Sequence, residues 1–306
     1  MTPMTANPSS AADNAAPDAT ADATADATAA QRDQALLFHS LHTAAAPLAL
    51  ANVWDAASAR LVEQSGAPAI ATTSAGVAWG LGAADGGGLG RDEMLALTAR
   101  IVAAVRVPVT ADIEDGFGAT AADVAGTVGD VIAAGAVGVN LEDGQQDGLR
   151  TGGSPLRPVA EQAGRLAAAR AAADAAGIPL YINARVDTYL LGAGEPETRL
   201  QETLTRAAAY LAAGASGIFV PGVDDPLVIA ALAELVGGPL NVTGGPGLPT
   251  VPELGKLGVA RVSLGPAVAQ AAYAVVRRAA RDLAAQGGYT ALTDGIPYPD
   301  LNTLMR

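Results

Sequence analysis

Cysteine is absent from the 306 residues, which excludes disulfides, thiolate metal sites and a cysteine nucleophile. Lysine is reduced to Lys256, and histidine to His39 and His42, both near the N-terminus. A Walker A lysine, a HExxH zinc site and a Ser-His-Asp triad therefore have little to build on. Neither GxSxG nor GxGxxG occurs. No uninterrupted apolar run reaches the ~18 residues of a membrane span. Basic residues are outnumbered 31 to 18 by acidic ones, a formal net charge of -13, which argues against nucleic acid or an anionic membrane as the partner. What remains is carboxylates, arginines, hydroxyls and glycines, an inventory suited to an oxygen-ligated metal and small anionic molecules.

Half of the residues are hydrophobic, mostly alanine and valine in short runs, enough for a sizeable core. Residues 1–30 are the exception. Their run Ala21-Asp22-Ala23-Thr24-Ala25-Asp26-Ala27-Thr28 has no large apolar group to offset its ordering entropy, so a disordered tail is expected. It lacks the basic and apolar regions of a signal peptide and is too acidic for a transit peptide, so the expected location is cytoplasmic. Residues 31–306 are expected to form one domain, opening with a short helix over 31–43.

From there short apolar runs alternate with alanine-rich stretches of helical length. Strand candidates are 48–53, 69–72, 107–111, 137–141, 180–184, 217–220, 240–242 and 261–264; helices fit 56–65, 92–105, 121–134, 158–176, 197–213, 226–236, 251–257 and 266–286. Gly66, Gly135, Gly214 and Gly258 each stand where a helix should end before the next strand. Eight strand–helix units predict an α/β fold, a (β/α)8 barrel. A doubly wound sheet is the alternative, but Asn52-Val53-Trp54-Asp55 is not the glycine-rich loop such a sheet usually carries after its first strand.

In a barrel, function lies at the C-terminal strand ends. Just past the predicted strands come Trp54-Asp55, Thr73-Ser74, Asp112-Ile113-Glu114-Asp115, Glu142-Asp143 and Arg185 with Asp187. Asp112 and Glu114 share a face if the strand continues through them. Such carboxylates read as an acid/base pair, a metal site or solvated loop residues; without histidine or cysteine beside them, Mg2+ suits the metal reading. The glycine-dense 80–90 stretch presents Asp85, and the 72–76 stretch supplies hydroxyl and N–H donors for an oxyanion. Gly244-Gly245-Pro246-Gly247 reads as a phosphate loop or a plain turn.

Taken in order, residues 52–60, Thr73–Gly76, Ala84-Asp85-Gly86, Asp112–Gly118, Gly138–Asp143 and Ala184–Asp187 resemble the isocitrate lyase/phosphoenolpyruvate mutase superfamily over about residues 45–285. The resemblance implies a Mg2+-dependent enzyme, with Mn2+ as a substitute, acting on small 2-oxo or 2-hydroxy acids through an enolate. It implies metal ligation by Asp85, Asp112, Glu114 and Glu142, largely through water. It implies catalytic roles for Asp85, Arg185 and Glu142, and substrate contacts from Thr73, Ser74 and Ala75. Trp54, Asp55, Asn183 and Asn241 complete the expected substrate-binding set. A homo-oligomer, dimer or tetramer, with the last helix exchanged between subunits is implied as well; 266–286 is that helix.

One element departs from the pattern. The lyase loop Lys-Lys/Arg-Cys-Gly-His is replaced by residues 143–155, where Asp147, Arg150 and Ser154 are the polar candidates. The lysine, asparagine and serine of the mutase loop are missing too. This excludes isocitrate lyase proper and leaves three readings. The first is a C–C lyase or hydrolase. The second is a P–C bond enzyme of the mutase or phosphonopyruvate hydrolase type, and the third a 2-oxo acid binding protein without turnover.

Overall fold

The computed structural model describes residues 19–145 and 153–306, of residues 19–25 the backbone alone. Eight strands run parallel: β1 Leu48–Leu50, β2 Ile70–Ala71, β3 Val109–Asp112, β4 Gly138–Glu142, β5 Tyr181–Arg185, β6 Gly217–Val220, β7 Leu240–Thr243 and β8 Arg261–Ser263. They pair in the order β1-β8-β7-β6-β5-β4-β3-β2. The seam between β1 and β2 is closed by Val53, whose N–H donates to Ala71 O at 2.8 Å and whose carbonyl accepts from Thr73 N at 3.0 Å. The result is the expected (β/α)8 barrel.

Helices alternate with the strands: α2 Ala56–Gln64, α3 Ser74–Gly80, α4 Arg91–Ala104, α5 Ala121–Ala133, α6 Val159–Ala175, α7 Pro196–Ala212, α8 Pro226–Leu235, α9 Val251–Lys256 and α10 Ala267–Gln286. Each expected strand, and each expected helix after the first, is found with small shifts at its ends. Gly66, Gly135, Gly214 and Gly258 all hold positive φ, so the repeated helix-ending glycine is real.

The departures have local causes. The N-terminal helix α1, Ala19–Ser40, begins twelve residues before the expected Gln31. Alanine has the highest helix propensity, so this run extends the helix without burying large side chains. Residues 1–18 of the expected tail, and Asp147 and Arg150, lie outside the described residues. Strand β3 stops at Asp112, and Glu114 adopts φ 49°, so the two carboxylates do not share a face by strand alternation. Helix α3 begins at Ser74, where only a donor turn was expected. A short 3-10 turn at Thr290–Leu292 and a helix α11, Tyr298–Leu304, follow α10. Arg60 donates to Leu304 O and ties that end back to α2. Among the described residues no helix is long and apolar enough to cross a membrane.

Helix α1 stoppers the N-terminal end of the barrel. Phe38 is fully buried, and the His42 ring stacks on Tyr181 of β5 with centroids 3.8 Å apart. Gln31 donates to Ile132 O and Ala136 O, and the His39 ring donates to Pro179 O. Above the stopper the lumen is polar. Arg261, 1% exposed, reaches across from β8 to Asn140 Oδ1 on the opposite strand β4 at 3.3 Å and contacts Ser263 Oγ at 3.3 Å. Burial lowers its pKa to about 10, which still leaves it charged at neutral pH.

Residues 26–30, the part of this segment whose side chains are described, are exposed, so deleting residues 1–30 should change thermal stability and turnover little. Phe38→Ala should cost about 3–5 kcal/mol in chemical denaturation. Equal effects from the two changes would contradict the stopper.

His42 gives a second test. Burial, and then Arg261, lower its pKa from 6.5 to about 3. As pH falls below 6.5 only the unfolded chain takes up the proton, so stability is lost progressively toward pH 3. The loss is up to about 2 kcal/mol between pH 6.5 and 5. His42→Phe should flatten this acid limb relative to wild type in urea titrations; parallel profiles would rule the linkage out.

Candidate active site

A cavity of about 400 Å³ opens at the C-terminal strand ends. Thr73, Ser74, Ala75, Asp85, Asp112 and Arg185 of the expected set line it. Inward-facing positions alternate along each strand, which sorts the rest by height. On β5, Tyr181 lies at the bottom, Asn183 in the middle and Arg185 at the cavity. Asn183 was expected to meet substrate; instead it donates to Asn140 Oδ1 at 2.9 Å, and Asn140 lines the cavity. Asn241 likewise sits in the floor, bonded to Ser263, which also lines the cavity.

Trp54 and Asp55 are placed elsewhere. Trp54 packs against the start of α3, where its Cβ lies 2.9 Å from where a Cβ on Gly76 would stand. The Asp55 carboxylate caps α2, accepting from Ser58 N at 2.7 Å. Neither lines the cavity. Ser154, the described member of the loop candidates, is exposed and donates to Leu156 O.

The carboxylates are locked to several different strand ends. Asp112 Oδ2 accepts from Ser74 N, the first residue of α3, at 3.1 Å, and Asp112 N donates to Thr72 Oγ1 at 2.8 Å. Asp85 is hydrogen-bonded by the Ser74 side chain and the Gly86 backbone. Glu114 Oε2 accepts from Gly87 N at 2.9 Å, joining the glycine-dense loop to the turn after β3. That turn is strained: Glu114 and Phe117, neither of them glycine, sit at φ 49° and 55°. Glu142 Oε2 and Asp187 Oδ1 each stand 2.6 Å from the Arg185 guanidinium.

Behind them Asp143, which lined no prediction of its own, accepts from Asp187 N at 2.9 Å. Its other oxygen takes Tyr210 OH at 2.8 Å and Arg206 Nη1 at 3.0 Å, both from α7. Asn52 was also missed. It accepts from Leu264 N and Gly265 N and donates to Thr72 O, pinning β8 to β2 across the short β1. Its place in the quoted Asn52-Val53-Trp54-Asp55 run was the available signal.

Four carboxylates, Asp85, Asp112, Glu142 and Asp187, thus surround one guanidinium, Arg185, and Glu114 stands beside Asp112 and Asp85. Burial, then Asp112, pushes Asp85 up. Burial pushes Glu114 to about 7 against the Gly87 hydrogen bond, with Asp112 and Asp85 adding to the rise. Burial raises Glu142 as well, with Arg185 opposing it. Burial works against the Arg185 charge, but Glu142, Asp187 and Asp112 outweigh it and hold the guanidinium charged.

This donor set fits a divalent cation. Asp112 Oδ1 and Glu114 Oε1 are buried without a hydrogen-bond partner among the described residues, and hard oxygens are what Mg2+ prefers. No three carboxylates among the described residues converge closely enough to ligate one ion directly, so retained waters would bridge some of them.

Comparisons with known proteins identify relatives of this chain. The family model for phosphoenolpyruvate phosphomutase matches residues 38–284. An uncharacterized Mycobacterium tuberculosis protein is 37% identical over 86% of this chain and 94% of its own length. The 2-methylisocitrate lyase of Escherichia coli is 32% identical over 67% of this chain and 69% of its own. Among solved structures, a candidate phosphonomutase from Burkholderia cenocepacia is 45% identical with a TM-score of 0.76, covering 84% of this chain and 100% of that one. A phosphonopyruvate hydrolase complexed with oxalate and Mg2+ is 25% identical with a TM-score of 0.75, covering 89% of this chain and 94% of that one.

Because Glu114 must lose its proton to face a cation, Mg2+ affinity should rise with pH through about 7. It should fall roughly tenfold per pH unit below that, with about one proton released per ion bound at pH 6. In the metal-free protein the sign is opposite. The raised Glu114 pKa contributes stability that is present below 4.5 and lost as pH rises through 7. Calorimetry at pH 6 and pH 8 checks both; equal affinity at the two would remove Glu114 from the cation's surroundings.

Proposed function

The chain belongs to the phosphoenolpyruvate phosphomutase family of the isocitrate lyase/phosphoenolpyruvate mutase superfamily, and on that premise we propose a Mg2+-dependent enzyme that cleaves a C–C bond of a small 2-oxo or 2-hydroxy acid through an enolate. The observation that carries this reading is the pair of unpartnered buried oxygens on Asp112 and Glu114: Asp112 lines the cavity beside Arg185 and the start of α3, and Glu114 adjoins Asp112 behind the cavity wall.

Asp85, Asp112, Glu114 and Glu142 would hold the cation. The cation supplies Lewis-acid stabilisation of negative charge on an enolate oxygen. The chain's own groups do the rest. Ala75, in the first turn of α3, offers a backbone donor to the substrate carboxylate, Ser74 being engaged by Asp112 and Asp85, and the Arg185 fork offsets charge developing on oxygen. Glu142 and Asp187 hold that fork from the side, so its position is set before substrate arrives. Asp85 lines the cavity and serves as the base.

The second reading, P–C bond chemistry, is favoured by the 45% identity to the Burkholderia structure. Phosphate release from phosphonopyruvate distinguishes it. We place the working form in a homo-oligomer, in the cytoplasm. Helix α10 supports the first part: among its residues Ala269 alone is buried, while Tyr273, Val276 and Leu283 are exposed.

EDTA should abolish turnover of oxaloacetate-like acids, and Asp112→Ala should do the same with little loss of fold. Arg185→Lys keeps the charge but loses the planar fork, so kcat/KM should fall by about 2–4 kcal/mol in transition-state terms at a nearly unchanged melting temperature. Full turnover in exhaustively chelated protein would sink the metal assignment. Near-normal turnover in Arg185→Lys would make the arginine a counter-ion only.

A further inference from the structure

The cavity has two unlike halves. Asp85, Asp112 and Arg185 come from the β2–β5 side. The opposite side, built by the ends of β5, β6 and β7, presents Leu190, Phe219, Pro221, Val223 and Leu248, with Thr243 its one hydroxyl. Phe219 stands in register with Arg185 on the adjacent strand, so the guanidinium and the apolar wall begin at the same height.

This wall is pre-built. Gly222 holds φ +81°, and a Cβ there would stand 2.8 Å from Leu190 N and Cα, so the turn after β6 is pressed against the turn after β5. Phe219 and Val223 are 7% and 2% exposed.

Charge on that side has the wrong sign for a second anionic group. Asp224 lines it, and Arg185, already paired with Glu142 and Asp187, is the one cation among the described lining residues. A distal carboxylate or phosphonate there would meet a carboxylate and lose its hydration to hydrocarbon.

Resting on the function proposed above, we infer that the substrate is a 2-oxo acid whose far end is an alkyl group, cleaved by a retro-aldol step. The chemistry follows from the apolar end. An alkyl fragment cannot hold the electron pair of the broken bond, so the pair must stay on the oxo-acid side as its enolate. The departing fragment is then a neutral carbonyl compound. A 4-hydroxy-2-oxo acid, R–CHOH–CH2–CO–COO−, meets these terms. Asp85 takes the C4 hydroxyl proton, the C3–C4 bond breaks, and its electrons form the C2–C3 enolate beside Arg185. The aldehyde R–CHO leaves along the apolar wall. The proton held by Asp85 is returned to C3, giving pyruvate, so atoms balance without a co-reactant.

The test uses the full chain with MgCl2 and a pyruvate-coupled assay. Substrates are 4-hydroxy-2-oxo acids with R as methyl, propyl, pentyl or carboxylate. The expected kcat/KM rises about fourfold for each added CH2, the ratio that ~0.8 kcal/mol per buried CH2 gives, and the carboxylate falls below the methyl compound. Binding is read separately by calorimetry, with 2-oxooctanoate expected to bind at least tenfold tighter than 2-oxoglutarate. Leu248→Arg, on a half-buried loop position, should reverse that order. Equal or tighter binding of 2-oxoglutarate to wild type overturns the inference. The parent reading has its own readout, Mg2+-dependent exchange of pyruvate C3 protons in D2O. Exchange without alkyl preference overturns this inference alone; absence of both exchange and oxaloacetate turnover overturns the two together.

Discussion

The rim of this barrel is organised by the pairing of Arg185 with Glu142 and Asp187. Packing several carboxylates into a buried space is unfavourable unless something positive stands among them, and Arg185 is the cation that the described lining residues provide. Its two partners fix it on both sides. Asp187 is in turn fixed by Asp143, and Asp143 is held from outside the barrel by Arg206 and Tyr210 of α7. A line of hydrogen-bonded charges therefore runs from an outer helix to the cavity, and it leaves Asp112 and Glu114 with unspent acceptors. The surplus of carboxylates over guanidinium is what suits the site to the cation proposed above.

Below this layer the barrel interior solves a different problem. A sequence with 3 phenylalanines and 2 tryptophans has few large rings to fill a lumen. The space is taken by Tyr181, Arg261 and a set of asparagines and serines that bond one another across strands. Arg261 meets amide and hydroxyl groups rather than a carboxylate, so it works as a fixed positive charge beneath the acidic rim. Floor and rim thus carry opposite signs, and the field between them points along the barrel axis.

Most of the barrel was legible in the sequence because its signals are local. Apolar runs marked the strands, and glycines in left-handed conformation marked the helix ends. Asp112, Glu142, Asp187 and Arg185 were legible for the same reason, since they lie at or just past strand ends, and Asp85 was marked by its glycine-dense surroundings. What stayed hidden depended on height within the lumen or on helix caps. Asn183 and Asn241 look like strand-end polar residues, but alternation places them one layer down. Asp55 has the residue type of a ligand and the neighbours of an N-cap, and the cap won. Glu114 was assigned a face by counting along a strand that had already ended. The apolar half of the cavity comes from loops far apart in sequence, and no spacing rule connects Leu190, Val223 and Leu248.

The stopper at the closed end carries an implication for how the molecule comes together in time. The His39–Pro179 contact joins residues 140 positions apart, and the His42 ring rests on Tyr181 of the fifth strand. An earlier segment of the chain therefore waits for a later one. Loop closure over that span precedes any reward from the contact, so half a barrel can assemble while Phe38 still has nowhere to go. During that interval the open end and the unseated helix are each other's missing surface, and a neighbouring copy in the same state offers the same match. Crowded synthesis would favour exchange of this helix between chains, making the least functional end of the barrel the one most exposed to misassembly.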